Sequence, residues 1–578
     1  MNSGWSFLLS VIVMINSLLR CFMAAVLCLC ASLALAAPDT IYLGGPILTL
    51  EQATPVVEAL AITKDRISAI GSRVQVSATK NAQTRIIDLH GKFLLPGFID
   101  AHGHFPVGAM LSRSMVSLQS PPVGTLNSIA ELIARLRERA QQTPKGQWVQ
   151  GAGYDDTLLS EKRHPTRDDL DLASLEHPIY IMHVSGHVAV ANSLALKLAG
   201  VTKDKAPPPG GKIRIDASSG EPNGILEESS MGLVTALLPK MSDADMQAAI
   251  DADSVQYLSK GVTTAQNGAA SVDDIRHLVA AQQQNRLPIR VDIWPQMQLR
   301  IASLDQGSQL AAPPGQDFIR YTANKGFADG SIQAFTGYLS VPYHSHVDEP
   351  VEYRGYPRAA RETLSAQVMR LHKAGYQIAV HANGDAAIDD VLFAYAQAQD
   401  AAPRSDARHI VVHAQMARDD QLDEMKRLGV IPSFFNLHVY YWGDRHRDIF
   451  IGPDRAKRIS PMRSAIDKGL IITLHADTPV VPMDPLMIVW SAVNRMTSGG
   501  VVLGPEQRIS ALEALQAITI NAAYQGFAEK DKGSLAVGKL ADFVILNENP
   551  LTVLPAKIRE IAVEQTIVGG LVVWSRQK

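Results

Sequence analysis

Cysteine is almost absent from this sequence. The chain of 578 residues contains three cysteines, Cys21, Cys28 and Cys30, and all of them lie near the amino terminus. The rest of the chain can therefore form neither a disulfide nor a thiolate metal site, and it is compatible with an oxidising exterior compartment.

Neither sign of charge is in excess, and aromatic residues are sparse. There are 54 Lys and Arg against 57 Asp and Glu, and aromatic residues make up 6% of the chain. This balance argues against a nucleic-acid partner, which would need a concentrated basic surface. There is no low-complexity tract, no Gly-x-Ser-x-Gly segment and no phosphate-binding glycine loop, so repeat proteins, serine hydrolases and nucleotide-binding proteins lack support. Length and a hydrophobic content of 46% indicate a large core and at least one further domain.

The amino-terminal segment differs from the rest. A short basic start precedes an apolar run from 21 to 35, and Ala34-Leu35-Ala36 is a pattern that signal peptidases cut. We predict a signal peptide over residues 1–36 and a periplasmic or secreted protein. Two alternatives are a natural start at Met14 and an uncleaved membrane anchor, and membrane contact is predicted only in the second case.

Strand-like segments occur at both ends of the chain. Residues 38–95 and 531–578 alternate apolar and polar side chains between Gly, Pro and Asp turns, and Gly569-Gly570 is typical of a hairpin turn. Neither end alone has enough strands for a stable core. We therefore predict one composite β-sandwich from 38–95 and 531–578.

Between these ends the pattern alternates strands and helices, as in a parallel α/β fold. Eight strand candidates are present, the number that closes a barrel, and we predict a (β/α)8 TIM-type barrel from 96–104 and 261–530. The interval 105–260 contains its own helices and strands, so it is predicted to be an inserted subdomain over the barrel mouth. The eight candidates are 96–102, 261–267, 289–294, 319–325, 377–381, 409–413, 430–434 and 470–475. Helices are predicted between successive strands, for example at 360–374, 386–399 and 419–428.

Histidines and an aspartate stand at the ends of these strands. The first strand ends in His102 and His104, which are two residues apart and so point to the same side. Later strands end in His381 and His413, and Asp477 follows the last one. Each residue alone could be an ordinary loop or core side chain. Because a barrel gathers its strand ends at one face, we predict a site for one or two divalent metal ions, zinc or alternatively manganese, iron or cobalt.

Two further residues are candidates for this site. Lys325 ends the fourth strand, where a bridge between two ions would lie, and its amine could react with CO₂ to give a metal-binding carbamate. The alternative is a buried amine paired with Asp329. His187, in the insertion, is predicted to stabilise a developing oxyanion or to hold the substrate. Its alternative is an ordinary loop histidine.

Longer segments surround these residues. They are LPGFIDAHGH at 95–104, KGFADGS at 325–331, HANGD at 381–385, VHAQ at 412–415, ADTPV at 476–480 and GSLAVGKLAD at 533–542. Together they resemble the amidohydrolase superfamily, in the subgroup that includes N-substituted formamide deformylase. The resemblance begins at about residue 40 and continues to the carboxyl terminus.

The resemblance implies a barrel with a composite β-sandwich and a mechanism of attack by metal-bound hydroxide. Asp477 would accept the hydroxide proton and return it to the leaving nitrogen. The predicted function is hydrolysis of a non-peptide C–N bond in a small amide, formamide or cyclic amide. Alternatives are an esterase or phosphoesterase on the same barrel and a non-catalytic binding protein on a decayed barrel. Homo-oligomer formation stays open. The implied metal ligands are His102, His104, Lys325, His381, His413 and Asp477.

Overall fold

The structure is a computed structural model that describes residues 37–308, 310, 318–345 and 350–577. The predicted signal peptide, residues 1–36, and all three cysteines lie outside the described residues. Of the helices within the described ranges, none is long and apolar enough to cross a membrane. The predicted cleavage and location therefore stay predictions.

One eight-stranded sheet contains strands from both ends of the chain. Its two parts join where Phe93–Pro96 pairs antiparallel with Phe543–Leu546. The predicted hairpin turn is present, and Gly569 and Gly570 both have positive φ there. The strands are Thr40–Leu48, Val56–Thr63, Arg66–Gly71, Arg85–Asp88, Phe93–Pro96, Phe543–Leu546, Val563–Val568 and Leu571–Ser575.

The middle of the chain forms two parallel sheets, and a strand overlaps each of the eight predicted segments. The fourth predicted strand is interrupted at Thr322, so that its first part pairs in one sheet and its second part in the other. In spatial order, the first sheet contains Ile319–Tyr321, Arg290–Pro295, Val262–Ala270 and Phe98–Ile99, and the second contains Ala323–Phe327, Gln377–Ala382, Ile410–His413, Ile431–Phe434 and Thr473–Leu474.

Helices connect these strands and cover the sheets. The helix Asp419–Leu428 has the bounds that the sequence predicts, and it ends where Gly429 adopts a left-handed conformation. The other helices of this part are Asp243–Ser259, Val272–Gln283, Met297–Asp305, Arg361–Lys373, Asp385–Ala401, His438–Arg445, Gly452–Ala456, Met462–Asp467, Pro485–Asn494, Ala511–Ala517 and Ile520–Gln525, and Arg73–Ser77 lies in the amino-terminal part.

The segment between the first and second parallel strands has its own sheet and its own apolar cluster. Its helix Ile129–Gln142 is capped by Ser128, whose side chain accepts a hydrogen bond from the Glu131 N–H. The sheet contains, in spatial order, Gly211–Ile215, Pro222–Glu228, Val188–Ala191, Ile179–His183, Val149–Tyr154 and Val116–Ser117, and the remaining helices are Val107–Ser114, Arg167–Asp171, Ser193–Leu198 and Gly232–Thr235.

Candidate metal centre

His102, His104 and Asp477 meet at the carboxyl ends of the parallel strands. The Nε2 atoms of His102 and His104 lie 3.4 and 3.3 Å from Asp477 Oδ1. Among the residues that the structure describes, this buried oxygen has no hydrogen-bond partner. The Nδ1 atom of His102 lies 2.8 Å from Gln266 Oε1, so Nδ1 carries the proton and Nε2 offers its lone pair. These three donors therefore fit one metal ion.

His381 and His413 form a second group of donors beside the first. His381 Nδ1 and His413 Nε2 are 3.0 Å apart. The Nε2 atom of His381 donates to the Gly330 carbonyl at 2.9 Å, which leaves Nδ1 free to bind a metal. His413 Nε2 also lies 4.0 Å from Asp477 Oδ2, so Asp477 lies between the two groups.

Lys325 lies beside the first group. Its side chain is buried, and Nζ is 2.9 Å from His102 Nε2. The alternative pairing with Asp329 does not form, because that carboxylate accepts hydrogen bonds from the backbone N–H groups of Asn383 and Gly384 at 3.0 and 2.8 Å. Burial lowers the pKa of Lys325 to about 7, so a large fraction of the amine is neutral at neutral pH.

The protonation states of the site suit metal binding. Burial lowers the pKa of His102, His381 and His413 well below the usual range, so these imidazoles are neutral, as ligands must be. Burial opposes ionisation of Asp477, but the neighbouring histidines, His104 first, hold its pKa well below the usual range. Neutral imidazoles and one carboxylate are a suitable donor set for zinc or a similar ion.

Two of these residues have unusual backbone conformations. His413 and Asp477 have φ values of 72° and 55°, in the left-handed region that residues other than glycine seldom adopt. Such conformations persist where the surrounding structure enforces them, commonly at functional sites. The backbone at both strand ends thus supports the functional interpretation of these two side chains.

A cavity of about 630 Å³ lies over the two groups of donors. His187 is part of its wall, and its ring centroid lies 5.0 Å from that of His381. The structure thus brings all seven candidate residues to one region. Much of the remaining wall is apolar and includes Leu111, Met115, Val123, Met182, Val184 and Val480.

A second cluster contains residue types that bind metals, but its atoms are not available as metal ligands. Asp155, Asp156 and His183 lie close together in the insertion. The Nδ1 atom of His183 accepts the Ser185 N–H at 3.2 Å, so Nε2 carries the proton and is not a metal ligand; it lies 3.1 Å from Asp156 Oδ1 without hydrogen-bond geometry. Asp155 accepts hydrogen bonds from Arg445 and other donors. We therefore interpret this cluster as a buried polar network.

Sequence reasoning missed four residues that support the site. Gln266 and His475 lie inside predicted strands, and His475 Nε2 is 3.1 Å from His413 Nδ1. Their position was available from the sequence, but the direction of their side chains was not. Glu228 and Arg358 stand far from every predicted site residue in the chain, and no sequence pattern indicates them.

A parallel α/β fold with histidine and aspartate donors at its strand ends defines a metal-dependent hydrolase. The match of the Amidohydrolase family covers residues 85–574. The chain belongs to this family, and it is an enzyme, a metal-dependent amidohydrolase acting on carbon–nitrogen bonds other than peptide bonds. The predicted resemblance is thereby confirmed.

The similarity to known proteins extends over most of the chain. N-substituted formamide deformylase from Arthrobacter pascens is 28% identical over 549 residues, covering 93% of this chain and 98% of that protein. An uncharacterized metal-dependent hydrolase from Pyrococcus furiosus is 27% identical with a TM-score of 0.67, covering 89% of this chain and 100% of that one. A similar hydrolase from Pyrococcus horikoshii OT3 is 26% identical with a TM-score of 0.69, covering 89% and 99% of the two chains.

Proposed function

We propose that the protein hydrolyses a small amide, formamide or cyclic amide that carries an apolar substituent. The observation that carries the proposal is the cavity of about 630 Å³, which has metal-ligand side chains at one end and aliphatic side chains along its wall. An amide group and an apolar substituent match these two environments. The deformylase similarity supports the same substrate class.

The residues of the site have separate roles in this proposal. A divalent ion, when bound, acidifies water and polarises the scissile carbonyl. Asp477 takes the proton of the attacking water and returns it to the leaving nitrogen. His187 holds the substrate, and its Nε2 accepts a hydrogen bond from the N–H of the leaving nitrogen. His102, His104, His381 and His413 hold one or two ions, with zinc as the proposed metal.

Lys325 is proposed to bridge two ions as a carbamate. Its neutral amine adds to CO₂ and releases a proton, which gives a carboxylate-like group. The burial of Lys325 and its distance of 2.9 Å from His102 Nε2 support this role. The amine is held against a metal ligand rather than by an acidic partner.

We also propose that the two parallel sheets close into one barrel. At one junction Gln296 and Lys325 form a parallel bridge. At the other, the Asp477 N–H donates to the His102 carbonyl at 3.2 Å, and the His104 N–H donates to the Thr478 carbonyl at 2.8 Å. Backbone contacts at both junctions support closure, and they bring the ligands of the first and last strands together.

A substrate screen tests the proposed function. Protein loaded with zinc or manganese is offered N-substituted formamides, acylated amino acids, cyclic amides and aryl esters, and release of the amine or alcohol is measured. We expect metal-dependent turnover of amides with apolar substituents, and turnover that is lower by roughly 10²–10⁴-fold in the Asp477→Asn control. Turnover of esters without any amide would contradict the proposal.

A further inference from the structure

Glu228 contacts His187 through both the backbone and the side chain. It ends the strand Pro222–Glu228, and its N–H donates to the His187 carbonyl at 2.9 Å. Its buried carboxylate oxygens lie 2.9 and 3.0 Å from His187 Nδ1. The two side chains therefore extend from neighbouring chain segments of the insertion toward the same side.

This contact determines which nitrogen of His187 is available. A carboxylate only accepts hydrogen bonds, so Nδ1 of His187 must carry a proton. The other ring nitrogen, Nε2, is left for a molecule in the cavity whose wall includes His187. An acidic partner that selects a tautomer and fixes the ring is a common arrangement in hydrolases.

Barrel residues hold the Glu228 carboxylate in place. Arg358 Nε lies 3.4 Å from Glu228 Oε2, and its guanidinium stacks 4.7 Å from the ring centroid of Phe327. On the other side, a Cβ atom at Gly330 would overlap both Glu228 Oε1 and Thr336 Oγ1. The barrel loop thus leaves space for this carboxylate. Through its carbonyl, the same Gly330 orients His381, so one loop supports both sides of the cavity.

The backbone at Glu228 has a positive φ, as it does at two of the candidate metal ligands. Its φ is 50°, compared with 72° at His413 and 55° at Asp477. Burial opposes ionisation of Glu228, but His187 and then Arg358 lower its pKa, so it is a carboxylate at neutral pH. A strained backbone that places a buried charge beside the cavity is typical of a functional position.

We propose that Glu228 is a positioning residue, which fixes the Nδ1–H tautomer and the orientation of His187 so that Nε2 accepts a hydrogen bond from the N–H of the leaving nitrogen. The role in turnover rests on the proposed amide hydrolysis, whereas the effect on the His187 ring does not. Glu227, the preceding residue, provides a matched comparison. It is also buried, and it is paired with Arg214 and bonded by the Tyr356 hydroxyl at 2.8 Å, with no contact to His187 among its described hydrogen bonds.

A double-mutant cycle tests the role in turnover. Glu228→Gln keeps the size of the side chain but removes its charge, and we expect kcat to fall roughly 10–100-fold with little change in KM. In the His187→Asn background the same substitution should cost almost nothing further, because the effect acts through His187. Glu227→Gln should leave kcat unchanged. Equal losses in both backgrounds would show a purely structural role and overturn the proposal.

A spectroscopic experiment tests the effect of Glu228 on the His187 ring without any substrate. In the zinc-loaded full chain labelled with ¹⁵N-histidine, His187→Asn identifies the His187 signals. We expect a strongly deshielded Nδ1–H proton in the parent and in Glu227→Gln, and its loss in Glu228→Gln. If Glu228→Gln does not fold, Glu228→Asp is measured instead, and it should shift the signal. An unchanged His187 signal in a folded Glu228 variant overturns the proposal. Absence of amide turnover with the expected spectra refutes the proposed function alone.

Discussion

Asp477 combines two roles that substitution can separate. Its Oδ1 atom lies near two histidine donors, and we assign it proton transfer as well. We expect Asp477→Asn to retain most of its metal, since an amide oxygen still binds and the histidines remain, but to lose roughly 10²–10⁴-fold in kcat. Plasma emission spectrometry and steady-state kinetics measure the two effects. Parallel loss of metal and rate would make Asp477 chiefly a ligand.

Lys325 tests the proposed carbamate. We expect Lys325→Ala to lose metal and activity, and short carboxylates or high bicarbonate to restore part of both. Lys325→Arg keeps the positive charge but forms no equivalent carbamate, so it should be as inactive as Lys325→Ala. Metal content and turnover are measured with and without bicarbonate. Full metal content and activity in Lys325→Arg would remove the bridging role.

At the residue scale, the ligands were predictable and their supports were not. His102, His104 and Asp477 end apolar strands, and parallel strand ends meet at one face. Glu228 also ends a strand, but its partner His187 lies in a different part of the insertion. Pairing between two antiparallel segments that are distant in sequence depends on tertiary packing. A single sequence contains no local sign of it.

The loop that contains Gly330 follows the strand Ala323–Phe327, and it joins the metal centre to the insertion. Gly330 does not have positive φ, so alanine suits its backbone and the conflict is purely steric. We expect Gly330→Ala to displace Glu228, to lower kcat as Glu228→Gln does, and to destabilise the fold by about 1–3 kcal/mol while metal content is retained. Kinetics, metal analysis and thermal melting measure these effects.

Gly232→Ala is the matched control for this substitution. A Cβ atom there meets nothing within 4 Å, so the methyl group should be tolerated. If Gly330→Ala turned over substrate like the parent, the loop would not require an unsubstituted glycine, and the proposed link between Gly330 and Glu228 would be wrong.

At the element scale, periodicity predicted several of the long helices and all eight parallel strand positions. The helix Arg361–Lys373 falls within the predicted 360–374, and Asp385–Ala401 extends the predicted 386–399 at both ends. The interruption at Thr322 was not predicted. Its cause is the change of pairing partner from one sheet to the other, which the continuous apolar pattern of 319–325 does not reveal.

At the scale of the whole molecule, buried histidines make stability depend on pH. Burial lowers the pKa of His164 to about 4 and takes the pKa of His409 and of His446 well below the usual value. The unfolded chain binds these protons below a pH of about 6.5, whereas the native chain does not, so stability falls as pH decreases from about 6.5 toward 4. Each proton that only the unfolded chain binds changes the free energy of unfolding by about 1.4 kcal/mol per pH unit. These three histidines together therefore contribute a slope of about 4 kcal/mol per pH unit.

Denaturant melts at several pH values measure this slope, in metal-loaded and in chelated protein. His446→Gln should reduce the slope by about 1.4 kcal/mol per pH unit, since it removes one proton that the unfolded chain binds. The Gln415 amide contacts His446 Nε2 at 2.9 Å, which is consistent with a neutral acceptor in the native state. A flat stability profile across this range would contradict the prediction.

Export of the protein is the last prediction at this scale. We expect a mature chain that begins at or near Ala37, because Ala34-Leu35-Ala36 precedes it. Amino-terminal sequencing of protein from the periplasm or medium measures this directly. A mature chain that retains Cys21 and sediments with membranes would indicate an anchor instead.

The sheet shared by both ends of the chain also sets an order of events during synthesis. Phe93–Pro96 is made several hundred residues before its neighbour Phe543–Leu546. Until then, the edge of the early strand has no partner on that side, and such edges favour association with other chains. Completion of this sheet therefore waits for the synthesis of Phe543–Leu546. A chain truncated before Phe543 would keep every metal ligand and still leave an aggregation-prone edge exposed.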